Sequence, residues 1–173
     1  MIYIIRHQEG GYSSNCLSEN GERNARQMAA YFKKKECEMP FFQTVYTILP
    51  FEYKHMRPMQ TACTICTHLN KATSDDQFSV MACTDHEHVA QDIRLVLSSS
   101  PWLNVIIVWH HEDMNHLIAA LLQQDTTPIT WPDDNFNGCV QMDTVTKSVT
   151  FVEHLIPRKT MGLFRMLCCH LFD

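Results

Sequence analysis

The chain has 173 residues, 45% of them hydrophobic and 19% charged, enough apolar material for one domain with a sizeable core and too much for a disordered segment. A net charge of −5 supplies no basic stripe, which argues against nucleic acid as a partner. No apolar run is long enough to span a membrane, and residues 2–5 are too short for a signal-peptide core, so a cytoplasmic protein is predicted.

Residues 2–5 form a continuous apolar run that leads directly into Arg6 and His7. Such a run predicts a strand buried on both faces of a parallel sheet. Polar side chains at the carboxyl end of such a strand stand where open α/β sheets bind ligands. A polar loop over 8–16 follows. Ser18 is a candidate N-cap, with Glu19 and Glu22 suited to the positive end of a helix dipole. Ala25, Met28, Ala29 and Phe32 then recur at helical spacing, and Lys33, Lys34 and Lys35 close the helix.

Residues 43–49 predict a second strand, rich in β-branched and aromatic side chains. A polar connection leads to Arg57 and Pro58, and proline suits a first helical turn. Met59, Ala62, Cys63 and Cys66 mark one apolar face of that helix. A loop over 70–77 precedes a short strand over 78–83. Val89, Ile93, Val96 and Leu97 predict a third helix, ended by Pro101. Residues 103–108 are another buried strand, with His110 and His111 at its end. A fourth helix is predicted with Glu112 and Asp113 in its first turn and Met114, Leu117, Ile118 and Leu121 on one face. After a Pro- and Asp-rich loop over 126–137, residues 140–142 and 148–152 predict a closing hairpin.

Strands alternating with helices predict an α/β three-layer sandwich, a mostly parallel central sheet with helices on both faces and a mixed edge. Residues 1–156 would form the domain. Residues 157–173 mix Arg158, Lys159 and Arg165 with apolar groups, which predicts an amphipathic tail docked on the domain. The sharper alternative is a membrane contact aided by acylation of Cys168 or Cys169. The eight cysteines are scattered through apolar stretches, which favours reduced, buried thiols over a disulfide framework. The C-x-x-C of Cys63 and Cys66 has no second pair, so helical spacing assigns both residues to the core rather than to zinc.

Three strand-to-helix junctions carry related equipment: Arg6 with His7, Arg57, and His110. In a parallel sheet these junctions lie along one edge and can converge. Two guanidiniums and two imidazoles around one point make an anion site, since arginine matches phosphate oxygens with paired hydrogen bonds.

Four segments in this order resemble the histidine phosphatases, the phosphoglycerate mutase-like superfamily. They are Ile4-Ile5-Arg6-His7, then Leu17 and Ser18 with Gly21 and Ala25, then Arg57-Pro58-Met59-Gln60-Thr61-Ala62, and finally the apolar run 105–108 followed by Trp109-His110. Asn137-Gly138-Cys139-Val140 also resembles the family's late strand entry. The resemblance implies a phosphoglycerate mutase-like fold and a phosphatase whose nucleophile is His7. Arg6, Arg57 and His110 would clamp the phosphoryl group, with Glu87 as proton donor and Asp85 in reserve. It implies neither a cofactor nor a metal. A branch acting on protein phosphohistidine dispenses with the acid, because a protonated imidazole leaves readily. The partner is then a phosphorylated small molecule or a phosphoprotein.

Four substitutions set this chain apart from that pattern. Gln8 and His111 stand where the family has glycine, which narrows the pocket, retunes specificity or leaves a site that binds without turnover. Tyr53 and His55 also replace a serine and a leucine. A catalytically silent phosphate-binding module and a phosphomutase are therefore alternatives to the hydrolase. Two metal motifs fail on spacing. His111 and His116 do not share a helix face, and His86 and His88 lack a third ligand.

Overall fold

The computed structural model describes residues 1–10, 16–36, 38, 40–50, 56–71 and 78–156. The tail over 157–173, with Cys168 and Cys169, lies outside the described residues, as do Tyr53 and His55. Strand β1 (Ile2–Arg6) is followed by helix α1 (Glu19–Glu36), β2 (Phe41–Ile48), α2 (Met56–Lys71), β3 (Ser79–Cys83) and α3 (His86–Ser99). Then come β4 (Asn104–Trp109), α4 (Met114–Leu122), β5 (Cys139–Asp143) and β6 (Ser148–Val152).

The six strands form one sheet in the order β3-β2-β4-β1-β5-β6. The pairs β1–β4, β2–β4 and β2–β3 are parallel, and β1–β5 and β5–β6 are antiparallel. This is the expected three-layer α/β architecture with a mixed edge. In the closing hairpin Asp143 Oδ1 accepts from the backbone N–H groups of Val145 and Thr146. Lys147 takes the left-handed conformation there, at φ 57°.

Alternation along the central strands divides the core in two. Ile2 and Ile4 pack with Ile107 and Trp109 beneath α3 and α4. Tyr3 and Ile5 pack with Ile106 and Val108 beneath α1 and α2. All of these strand residues are buried, which explains why the strands read as unbroken apolar runs. Burying one such aliphatic side chain contributes about 1.5–3 kcal/mol.

The helix termini follow the local chemistry. Ser18 Oγ accepts from the Gly21 N–H at 3.0 Å, as a cap should. Asp85 caps α3 through the His88 N–H at 2.9 Å. Glu112 and Asp113 precede α4 instead of forming its first turn, and Asp113 makes no side-chain cap bond. Among the described cysteines, Cys66, Cys83 and Cys139 are buried, but Cys16 and Cys63 are exposed. The α2 face therefore buries only one member of the C-x-x-C pair. Cys66 donates to the Phe78 carbonyl at 2.9 Å. No helix among the described residues is long and apolar enough to cross a membrane.

Tyr46, fully buried on β2, donates to Asp92 Oδ2 at 2.6 Å. Burial first, and then the bond to Asp92, raise its phenol above the ordinary value of 10.0. The unfolded chain therefore releases this proton at lower pH than the folded one. The stabilisation is complete below pH 10 and is lost as pH rises past it. Tyr46→Phe is expected to cost about 2 kcal/mol at neutral pH. It should also flatten the alkaline decline in stability, as followed by urea denaturation between about pH 8 and pH 11.

Candidate active site

The site begins where β1 and β4 end together. Their parallel register sets Arg6 beside Trp109, and the His7 N–H donates to the Trp109 carbonyl at 3.2 Å, one step beyond the strands. His7 and His110 therefore face each other, with ring centroids 4.8 Å apart. His111 also lies near, its ring centroid 6.5 Å from that of His7. A strand would send residues 110 and 111 to opposite faces. The chain has left the strand after Trp109, so both rings gather beside His7.

His7 is only 3% exposed, and its Nδ1 lies 3.0 Å from the Gln8 carbonyl. That bond gives the Nδ1 proton an acceptor and leaves Nε2 with its lone pair. Burial drives the imidazole down to about 3. The Gln8 carbonyl opposes the shift, and the charges of His110, Arg6 and Arg57 add to it. At neutral pH the ring is an uncharged base with a nucleophilic nitrogen.

Arg6 is equally withdrawn from solvent, at 6% exposure. Its Nη1 donates to the carbonyls of Pro132 and Asp133, and its guanidinium lies 4.4 Å from the centre of the Phe136 ring. Burial lowers its pKa, while Asp133 and Glu112 favour the charged form and Arg57 opposes it. Arg6 Nε is buried without a hydrogen-bond partner among the described residues. A buried guanidinium donor left open is the kind of group an oxyanion would satisfy. Arg57, in the first turn of α2, lies over Gly10. A Cβ at position 10 would come within 2.3 Å of the guanidinium carbon, so the absence of a side chain there makes room for the arginine.

Of the three alternatives for Gln8, its side-chain contacts speak against a narrowed pocket, because the amide is engaged elsewhere. Gln8 is fully buried, and its side-chain amide donates to the carbonyls of Phe136, at 2.8 Å, and Arg6, at 3.3 Å, and to the sulfur of Met28. Its backbone N–H donates to Thr61 Oγ1 on α2 at 3.0 Å. It links β1 to both α1 and the loop beneath Arg6.

Arg6, His7, Arg57 and His110 thus share one neighbourhood. Glu87 is exposed in the first turn of α3 and opens onto a groove with His86, Arg94 and His116. Backbone bonding from His88, then the Thr84 hydroxyl, holds the Asp85 carboxyl below its usual range, a poor property in a proton donor. His116 stacks on His86 at 5.8 Å, away from His111, in keeping with the rejected zinc-protease spacing. Sequence reasoning missed three contributors: His111 as a member of the ring cluster, Phe136 beneath Arg6, and Asp133, whose Oδ1 is 3.5 Å from His111 Nε2. The last two sit in a loop without periodicity, and only its Pro- and Asp-rich composition marked it.

No family model and no curated protein matches the chain. Solved structures do. One is the protein histidine phosphatase SixA complexed with tungstate, at 20% identity, covering 87% of this chain and 93% of that one, with a TM-score of 0.54. Another is phosphoglycerate mutase from Plasmodium falciparum, at 12% identity, covering 87% of each chain, with a TM-score of 0.46. The likeness to the first shows that the chain has the histidine phosphatase fold.

The Gln8 side chain is expected to be structural. Gln8→Ala should lower stability by about 2 kcal/mol in thermal or urea denaturation, because it leaves a void and removes the bond to Phe136.

Proposed function

We propose that this protein is a phosphatase that moves the phosphoryl group of a phosphomonoester, or of a phosphohistidine in another protein, through His7. The observation that carries this is a buried, uncharged imidazole against a second histidine, beside a buried guanidinium with an open donor. His7 Nε2 attacks phosphorus, the P–N bond forms and the bond to the leaving oxygen or nitrogen breaks. Arg6, Arg57 and His110 offset the charge on the phosphoryl oxygens. Water then attacks the phosphohistidine, the P–N bond breaks, and inorganic phosphate and neutral His7 are released.

Glu87 is the proposed donor to an alcohol leaving group, reaching it through a substrate seated between α3 and the imidazoles. A phosphohistidine substrate needs no such donor, since its imidazole leaves in protonated form. A phosphorylated small molecule or a phosphoprotein is the partner in either case. The cytoplasm is the proposed setting, supported by Cys83 and Cys139 buried in the core as thiols.

Two observations favour a second reading, a module that binds phosphate without turnover. Arg6 already spends Nη1 donors on two backbone carbonyls, and His111 brings a third ring to the site. The two readings part on labelling. For the enzyme, a phosphate donor should leave an acid-labile, base-stable label that maps to His7. His7→Ala should lower kcat/KM on an aryl phosphate by roughly three orders of magnitude or more. Phosphate binding with neither label nor turnover would establish the module. Gly10→Ala, which displaces the Arg57 guanidinium, is expected to weaken inhibition by inorganic phosphate about tenfold with little loss of thermal stability.

A further inference from the structure

We propose that His7, His110 and His111 form a binding site for a divalent transition-metal ion of the zinc class. One ligand atom from each side chain lies within 4.8 Å of the other two, and this is the only such group of three among the described residues. Three imidazoles with a fourth position left open is a common way to hold zinc.

Ligand nitrogens around tetrahedral zinc stand about 3.4 Å apart, as bonds of about 2.0–2.1 Å require. The rings must therefore close inward by up to about 1.5 Å. His111 can supply most of that movement. Its side chain is 19% exposed, it stands beyond the last strand residue, and its Nδ1 is buried with no hydrogen-bond partner among the described residues. His7 has the outer-shell contact that a zinc-binding imidazole requires, since its Nδ1 meets the Gln8 carbonyl and Nε2 is left to coordinate. Asp133 Oδ1, 3.5 Å from His111 Nε2, supplies a negative charge at the edge of the cluster. It is placed to steady His111 or to take the fourth position.

Two guanidiniums nearby oppose a cation. Arg6, however, is engaged with two carbonyls and the face of Phe136, and Arg57 lies over Gly10. The ion and a phosphoryl group would compete for the same His7 nitrogen, so each excludes the other. The resemblance drawn from the sequence implied no metal. The site proposed here is one where metal holds the protein inactive, and it depends on a histidine where the family has glycine.

Chelator-treated full-length protein is titrated with Zn2+ by calorimetry and with Co2+ by visible absorption. One ion per chain is expected, with the intense bands of tetrahedral cobalt. His111→Asn should weaken binding at least tenfold, whereas His68→Asn, on α2, should leave it unchanged. His7→Asn should also weaken it, and circular dichroism confirms that each variant is folded. The proposal is overturned if the wild-type protein takes up neither ion, or if the affinity survives both His111→Asn and His7→Asn. Turnover measured in chelator is a separate readout. Its failure would remove the phosphatase and leave the metal site standing, and failure of ion binding would do the reverse.

Discussion

The parallel pairing of β1 with β4 is the constraint on which everything else rests. It matches Ile2 with Val105 and runs without a break to Arg6 with Trp109. The partners stand 103 positions apart in the chain, yet this ladder alone puts His7 opposite His110. Both strands are buried on two faces, so the register is held by packing above and below the sheet as well as by hydrogen bonds. A slip of one residue would exchange the two apolar sets and carry the imidazoles apart. The central sheet is thus the device that fixes the distance between the two rings.

A second layer of support comes from the loop between α4 and β5. Pro132 and Asp133 accept from Arg6, Phe136 lies beneath its guanidinium, and the Phe136 carbonyl accepts from Gln8. Asn137 secures the loop from the other side by exchanging bonds with Ile156 at 2.7 and 3.1 Å. Trp131 closes the far end, with Nε1 donating to Asn135 and its ring against Phe151 of β6. An arginine would otherwise sample many rotamers. Here it is restrained by the loop, which would remove part of the entropy cost of binding the proposed phosphoryl group.

Much of this was legible in the sequence because buried parallel strands advertise themselves. Residues 2–5 and 103–108 are unbroken apolar runs, and the helices between strands repeat their apolar residues at three and four. Arg6, His7, Arg57 and His110 were legible because each stands at a strand end or in a first helical turn. What escaped was whatever depends on the path of the chain after an element stops. Strand alternation sends His111 away from His110, and only the turn after Trp109 brings it back. The place of Gln8 stayed open between three alternatives because its burial among Met28, Thr61 and Phe136 depends on three distant segments. Cys63 matched the apolar spacing of α2 but lies at the margin of its buried arc, where periodicity does not tell core from surface.

Gly21, in the first turn of α1, gives the fold an unforgiving point of contact. A methyl group there would stand 2.2 Å from the Glu9 carbonyl oxygen, and that same oxygen accepts from Ser18 at the start of the helix. Backbone meets backbone, so no side chain can swing aside to relieve a larger residue. Glu9 is two residues from the His7 imidazole. Bulk added at this buried position would therefore be transmitted along the chain to the His7 imidazole, and tolerance to change here is set by the backbone it presses against.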